Sequence, residues 1–101
     1  MTLRWTDRAR RDLLAIGRYI ARDNPETARQ WVERLRERAQ QAATAPHAGR
    51  MVPELRREDI REVFLRTYRI VYRVRKQGID VLTIFEGHRR FDTTDLPELD
   101  R

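Results

Sequence analysis

The segment at residues 68–75, Tyr-Arg-Ile-Val-Tyr-Arg-Val-Arg, constrains the fold more than any other part of the sequence. Side chains of a β-strand alternate between two faces. One face here carries aromatic and aliphatic groups: Tyr68, Ile70, Tyr72 and Val74. The other carries arginines around one valine: Arg69, Val71, Arg73 and Arg75. The pattern predicts a strand that packs one face against an apolar layer and presents a row of guanidinium groups to an anionic partner.

Two amphipathic helices precede this strand. Apolar side chains recur at helical spacing over residues 7–22, and Thr6 is a suitable N-cap. Asn24 and Pro25 then mark the start of a second helix, which ends before Pro46. Because only two or three residues join the helices, we predict an antiparallel helical hairpin at about 7–45. We expect the opposite face of the first helix to be solvated, with Arg8, Arg11, Arg18 and Arg22. Trp5 and Trp31 are expected to lie in the core.

The remaining segments predict a small sheet. Strands are expected at 2–5, 61–66, 68–75 and 79–86, with a loop at 46–59 and a sheet core at about 61–86. A tight turn at Lys76-Gln77-Gly78 joins two of the strands, and Gly78 is expected to allow positive φ there. The acidic tail at 92–101 lacks periodicity, so we expect it to be frayed or loosely docked.

These elements predict an α+β fold of order β-α-α-β-β-β. Residues 1–101 form one small domain, in which a helical hairpin packs on one face of an antiparallel sheet. The tyrosine side of strand 68–75 is expected to meet the helices, which leaves its arginine side on an open face.

Composition narrows the classes of function. The net charge is +6, and nearly all of the 22 basic residues are arginines, since Lys76 is the only lysine. Arginine forks suit phosphate or carboxylate, so the partner is expected to be nucleic acid or an acidic protein segment. A GC-rich genome, or the need to keep an open sheet face soluble, would also explain many arginines.

Several chemistries are excluded or disfavoured. The chain has no cysteine, which excludes disulfides, thiol nucleophiles and thiolate metal sites. The two histidines, His47 and His88, are far apart in sequence, so no metal site and no cofactor are predicted. No apolar run approaches the length of a membrane span, and we expect a soluble, cytoplasmic protein without membrane contacts.

The order of motifs resembles the RelE/ParE superfamily of bacterial toxins from type II toxin–antitoxin modules, and ParE more than RelE. The resemblance covers nearly the whole chain. Its carriers are the Asp23-Asn24-Pro25 break, the loop from Pro46 through Gly49-Arg50 to Val52-Pro53-Glu54-Leu55, the strand at 68–75, and Gly87-His88-Arg89-Arg90.

The resemblance implies one of two activities. A RelE-like protein cleaves mRNA on the ribosome, and its catalytic residues would here be Arg69 and Arg89 at the phosphate with His88 for proton transfer. The lysines typical of RelE between positions 50 and 60, and a tyrosine after Arg89, are absent. A ParE-like protein inhibits DNA gyrase without being known as a nuclease, and this is the favoured interpretation, with the ribosome-dependent endoribonuclease as the alternative.

The resemblance also implies a cognate antitoxin that forms a hetero-oligomer with the toxin. We expect an acidic, amphipathic antitoxin segment that folds as it docks on the open sheet face or the helix grooves. The residues expected to bind antitoxin or target are Arg69, Arg73, Arg75, Arg89, Arg90 and Phe91.

Overall fold

The computed structural model describes residues 2–87 and residue 96. The elements are β1 (Thr2–Trp5), α1 (Asp7–Ala21), α2 (Pro25–Thr44), a short 3₁₀ helix (Pro46–Ala48), β2 (Arg50–Met51), β3 (Ile60–Leu65), β4 (Tyr68–Arg75) and β5 (Gly78–Glu86). The strands form one sheet in the order β1-β5-β4-β3-β2. The predicted α+β class and the order of the main elements are confirmed, and β2 is an addition within the predicted loop.

The sheet is mixed rather than wholly antiparallel. Strands β2 to β5 pair antiparallel with their neighbours, whereas β1 pairs parallel with β5. A hairpin turn fixes the antiparallel direction of β4 and β5. In sequence, the two helices lie between β1 and the other strands. This long connection lets β1 pair with the edge of β5 in the parallel direction.

The helix starts follow the predicted capping residues. Thr6 accepts a hydrogen bond from the Ala9 backbone N–H (3.1 Å) and donates one to the Val81 carbonyl (2.8 Å). Its hydroxyl therefore caps α1 and ties the helix to β5 at once. Asn24 accepts from the backbone N–H groups of Glu26 (3.0 Å) and Thr27 (3.1 Å), which starts α2.

The main core lies between the helices and one face of the sheet, and it includes the aromatic and aliphatic side of β4, as predicted. Its buried members are Ala9, Leu13, Leu35, Ala39, Ala42, Ala43, Val63, Ile70, Tyr72, Ile79, Val81 and Ile84. Tyr72 is fully buried, and its hydroxyl donates to the Pro46 carbonyl at 2.7 Å. This bond fixes the chain at the end of α2 against the sheet.

The opposite face of the sheet carries a second, smaller core, so the prediction of an open arginine face is wrong. The buried residues of this second core are Val52, Ile60, Val71, Leu82, Phe85 and Leu96. The loop before β3 supplies Val52, and Leu96 comes from the predicted tail. The tail is therefore docked at Leu96, and its other residues lie outside the described part of the chain.

Gly78 serves a different purpose from the predicted one. No glycine in the described residues has positive φ. A Cβ on Gly78 would instead lie 1.8 Å from the Thr2 carbonyl oxygen. Glycine is required because β1 passes directly beside this position.

Candidate functional site

The three arginines of β4 (Arg69, Arg73 and Arg75) form the arginine row, and Arg69 lies in a partly buried network of ion pairs. The Arg69 side chain donates to both oxygens of Glu54, at 3.0 and 3.1 Å, and its Nε donates to Glu62 at 2.8 Å. Arg50 donates to the other oxygen of Glu62 at 2.7 Å. The Glu62 side chain is fully buried and that of Arg69 is 6% exposed. These four residues, which we call the Arg69 cluster, carry a formal charge of zero.

The other two arginines of the row also have carboxylate partners. Arg73 contacts Asp59 at 3.3 Å, and Asp59 is shared with Arg57. Arg75 contacts Asp80 at 2.8 Å, and Asp80 is shared with Arg4. The predicted anionic partner of the row is thus, in large part, the chain itself.

The ion pairs shift the pKa values of two of these carboxylates, Glu54 and Asp80. The hydrogen bond from Arg69 lowers the pKa of Glu54 despite partial burial. Burial alone would raise the pKa of Asp80, but hydrogen bonds from Arg4 and Arg75 outweigh it, and the pKa is lowered. Both carboxylates therefore stay ionised at neutral pH and neutralise their arginines.

The predicted site residues are only partly described. Arg69, Arg73 and Arg75 lie on one strand face, but Arg69 is buried in its cluster. His88, Arg89, Arg90 and Phe91 lie outside the described residues. Of the catalytic set expected for a nuclease, Arg69 alone is described, and two carboxylates occupy the positions where a phosphate oxygen would bind its guanidinium.

A different surface has the character of a binding site. An open groove of about 460 Å³ runs between α1 and α2 on their outer side. Its floor is formed by small and apolar side chains: Leu13, Leu14, Gly17, Ala21, Ala28 and Val32. Its rim is formed by arginines: Arg10, Arg18, Arg29 and Arg36. We call this surface the hairpin groove.

The sequence contained a signal for the hairpin groove. Leu14 lies outside the apolar stripe that faces the sheet, and 56% of its surface is exposed. Gly17 lies one turn further on, where a Cβ would come within 3.0 Å of a Val32 methyl group. An exposed leucine beside a small residue at a helix contact indicates a surface groove. Arg18, predicted to lie on a solvated helix face, forms part of the rim of this groove.

Other kinds of site find no support in the described residues. They contain no group of three or more histidine, aspartate or glutamate side chains placed to hold a metal ion. Neither described helix combines the length and apolar composition that a membrane span requires.

Comparisons with known proteins agree on one family. A family model described as the ParE toxin of type II toxin–antitoxin system, parDE, matches residues 3–91. A protein of Sinorhizobium fredii (strain NBRC 101917 / NGR234), named "Putative toxin Y4kP", is 34% identical over 91 residues, which cover 88% of this chain and 91% of that protein. A solved chain from the chromosomal ParDE TA system of P. aeruginosa superposes with a TM-score of 0.70 at 27% identity, over 85% of this chain and 95% of that one.

Proposed function

Because the chain belongs to the ParE toxin family of type II toxin–antitoxin systems, we propose that it arrests growth by binding and inhibiting DNA gyrase. We further propose that a cognate antitoxin neutralises it. The toxin acts in this proposal as a binding protein and not as a nuclease.

One observation carries the choice between the two activities of the superfamily. RNA cleavage needs positive charge available to the scissile phosphate. Arg69 is the residue expected to supply that charge, yet Glu54 and Glu62 hold its guanidinium in a neutral cluster. To bind a phosphate, Arg69 would have to lose these partners, and the buried Glu62 would keep only the 58% exposed Arg50 of the cations in the Arg69 cluster. Such a loss is costly, which favours inhibition by binding.

Pulsed expression tests the proposed activity. We expect induction of the toxin to produce gyrase-dependent DNA breaks and an SOS response within minutes, while mRNA stays intact. The measurements are recovery of covalent gyrase–DNA complexes and mapping of mRNA ends. Inhibition of supercoiling by purified gyrase and purified toxin provides the matching test in vitro.

Rapid mRNA cleavage within reading frames, without gyrase-linked breaks, would contradict this proposal. His88→Ala is the companion variant for that case. Loss of toxicity by a folded His88→Ala protein would indicate proton transfer, and retained toxicity would agree with inhibition by binding.

We place the antitoxin in the hairpin groove rather than on the arginine row. The groove has an apolar floor, a basic rim and an open shape, which suit one face of an acidic, amphipathic helix. In the part of the chain that the structure describes, two of the rim arginines have weak partners on exposed surface: Arg10 contacts Asp7 at 3.4 Å and Arg29 contacts Glu26 at 3.8 Å. The arginines of β4 are already paired with carboxylates of the chain.

Leu14→Glu tests the groove. The substitution places a carboxylate on the apolar floor, where it would repel an acidic helix and lose the contact of the leucine. We expect the Kd for the antitoxin to rise by about tenfold to a hundredfold. Because Leu14 is more than half exposed, the unfolding midpoint should change little. Isothermal titration calorimetry and thermal unfolding measure the two quantities.

Met51→Glu is the matched control, since Met51 is also an exposed apolar residue and lies outside the groove. It should leave the Kd unchanged. A second pair of variants compares the two candidate surfaces: Arg18→Gln with Arg36→Gln in the groove, and Arg73→Gln with Arg75→Gln on β4. A larger loss of affinity from the β4 pair would indicate that the antitoxin binds the arginine row instead of the hairpin groove.

A further inference from the structure

Two arginines of β4 are each held by a carboxylate through only one of their three side-chain nitrogens. Arg73 donates from Nε to Asp59 at 3.3 Å, and Arg75 donates from Nε to Asp80 at 2.8 Å. Within the described residues, the Nη1 and Nη2 groups of both guanidiniums have no hydrogen-bond partner. Arg69 differs, because all three of its side-chain nitrogens donate to carboxylates.

The free ends of these two guanidiniums face solvent on the same side of the sheet. Arg73 and Arg75 are two positions apart on one strand, so their Cα atoms lie about 7 Å apart and their side chains share a face. The Arg75 side chain is 51% exposed and that of Arg73 is 20% exposed. In the described part of the chain, no buried side-chain nitrogen lacks a partner, so the terminal nitrogens of Arg73 reach solvent. We call Arg73 and Arg75 the fork pair.

Positive charge exceeds negative charge in the contacts around the fork pair. Asp59 is shared by two guanidiniums, those of Arg57 and Arg73. Lys76, which follows Arg75 in the turn, is exposed and has no carboxylate partner among the residues that the structure describes. The Arg69 cluster, by contrast, has one carboxylate for each guanidinium. The fork pair can therefore accept a further anion without losing the carboxylates that hold it.

We propose that the fork pair binds phosphate groups on the backbone of duplex DNA. The end of a guanidinium fits two phosphate oxygens through parallel N–H···O bonds. Because Asp59 and Asp80 hold the Nε atoms, each fork is oriented before the ligand arrives, which lowers the cost of binding. The choice of DNA rests on the proposed function, since gyrase acts on duplex DNA, but the toxin would bind DNA without gyrase.

An acidic protein segment fits the fork pair less well than a phosphate backbone does. Ile60, which pairs with Arg73 in the sheet, and Val71, two positions before Arg73, are both fully buried. These neighbours therefore offer no apolar floor to a segment that folds as it docks, unlike the hairpin groove. Phosphate contacts need only charge and hydrogen-bond donors, and they carry no sequence information. The proposed binding is therefore independent of DNA sequence.

Fluorescence anisotropy with a short labelled DNA duplex and purified toxin tests the fork pair over a range of salt concentrations. We expect Arg73→Gln/Arg75→Gln to raise the Kd about tenfold. It should also reduce the slope of log binding constant against log salt by about two, since each lost phosphate contact removes about 0.9. Arg18→Gln/Arg36→Gln is the matched control, because it removes the same charge at the rim of the hairpin groove. It should keep the wild-type slope and a Kd within about threefold of wild type.

Arg73→Lys/Arg75→Lys separates the fork from its charge, and it serves as the second variant if thermal unfolding shows that the glutamine variant is not folded. Lysine can still pair with Asp59 and Asp80, but its ammonium group cannot bind two oxygens of one phosphate as a fork. We expect the wild-type salt slope with a Kd about threefold higher or more. A wild-type Kd for this variant would contradict the proposed geometry.

The remaining outcomes also decide between the proposals. Equal losses from the fork pair and the groove pair would overturn the fork pair, because net charge alone would then explain the binding. Tighter binding of an RNA duplex of the same sequence, or of polyglutamate, through the fork pair would also overturn the assignment to DNA. A wild-type toxin that inhibits gyrase but does not bind DNA alone would overturn the fork pair and leave the proposed function standing. DNA binding through the fork pair by a toxin that spares gyrase would do the reverse.

Discussion

Replacing Glu62 with glutamine is expected to lower the free energy of unfolding by about 3–5 kcal/mol. The Glu62 side chain is fully buried, and its two oxygens accept hydrogen bonds from Arg69 and Arg50. A glutamine amide would keep one acceptor but would turn N–H donors towards a guanidinium that also only donates. The buried charge of Arg69 would then lose one of its two described carboxylate partners. Urea unfolding followed by circular dichroism measures the change.

Arg50→Gln is the control within the same cluster. The Arg50 side chain is 58% exposed, so its loss should cost about 1 kcal/mol or less. An equally small effect of Glu62→Gln would mean that the Arg69 cluster contributes little to stability. Arg69 would then leave its carboxylate partners at a lower cost in free energy, which would favour a role for Arg69 in binding an external anion.

Replacing Gly78 with alanine is expected to cost about 3 kcal/mol by displacing β1 from the sheet. The new Cβ would lie 1.8 Å from the Thr2 carbonyl oxygen and 2.6 Å from its carbon, and both are backbone atoms that cannot rotate away. If β1 moves, the half-buried Leu3 and Trp5 lose contacts with the main core. We expect lower stability in urea together with faster amide hydrogen exchange over residues 2–5.

Gly17→Ala makes the same change where it should be tolerated. Its Cβ would meet a Val32 methyl group at 3.0 Å, and that side chain is only partly buried. The tight contact is offset by a gain of about 1 kcal/mol in helix propensity. A Gly78→Ala protein as stable as Gly17→Ala, with unchanged exchange in β1, would contradict the proposed role of Gly78.

The features that sequence analysis predicted well are those that local chemistry determines. Asn24 and Pro25 define the start of α2 through hydrogen bonds and dihedral angles within a few residues. The alternation in β4 similarly determines that Tyr72 and its same-face neighbours enter the main core. Such signals depend only on neighbours in sequence, so they can be detected in a single amino-acid sequence without a structure.

Whether the arginine row is exposed or paired with carboxylates depends on residues that are distant in sequence. Arg69 is 15 residues from Glu54 and 7 from Glu62. Strand parity shows that an arginine and a valine share a face, but it cannot show whether a loop folds over them. In this chain Val71 begins a second core, and the loop that covers it also carries Glu54.

The role of Gly78 was missed for a related reason. A glycine after Lys76-Gln77 is typical of a turn that needs positive φ. The actual requirement comes from β1, whose parallel pairing with β5 has no local signature. The hairpin groove was missed although Leu14 lies outside the sheet-facing stripe of α1, because an exposed leucine is an ordinary surface residue until the helices are packed.

The parallel pairing of β1 with β5 has a consequence for the order in which the protein assembles. Arg4 and Asp80, which join these strands, are 76 positions apart. Strand β1 is synthesised before the other strands of the sheet, yet it is the last that can be placed. The helical hairpin consists of local contacts and forms early, whereas closing so long a loop is slow. Strand β1 thus remains unpaired until β5 has been synthesised, and the complete sheet exists only after that point.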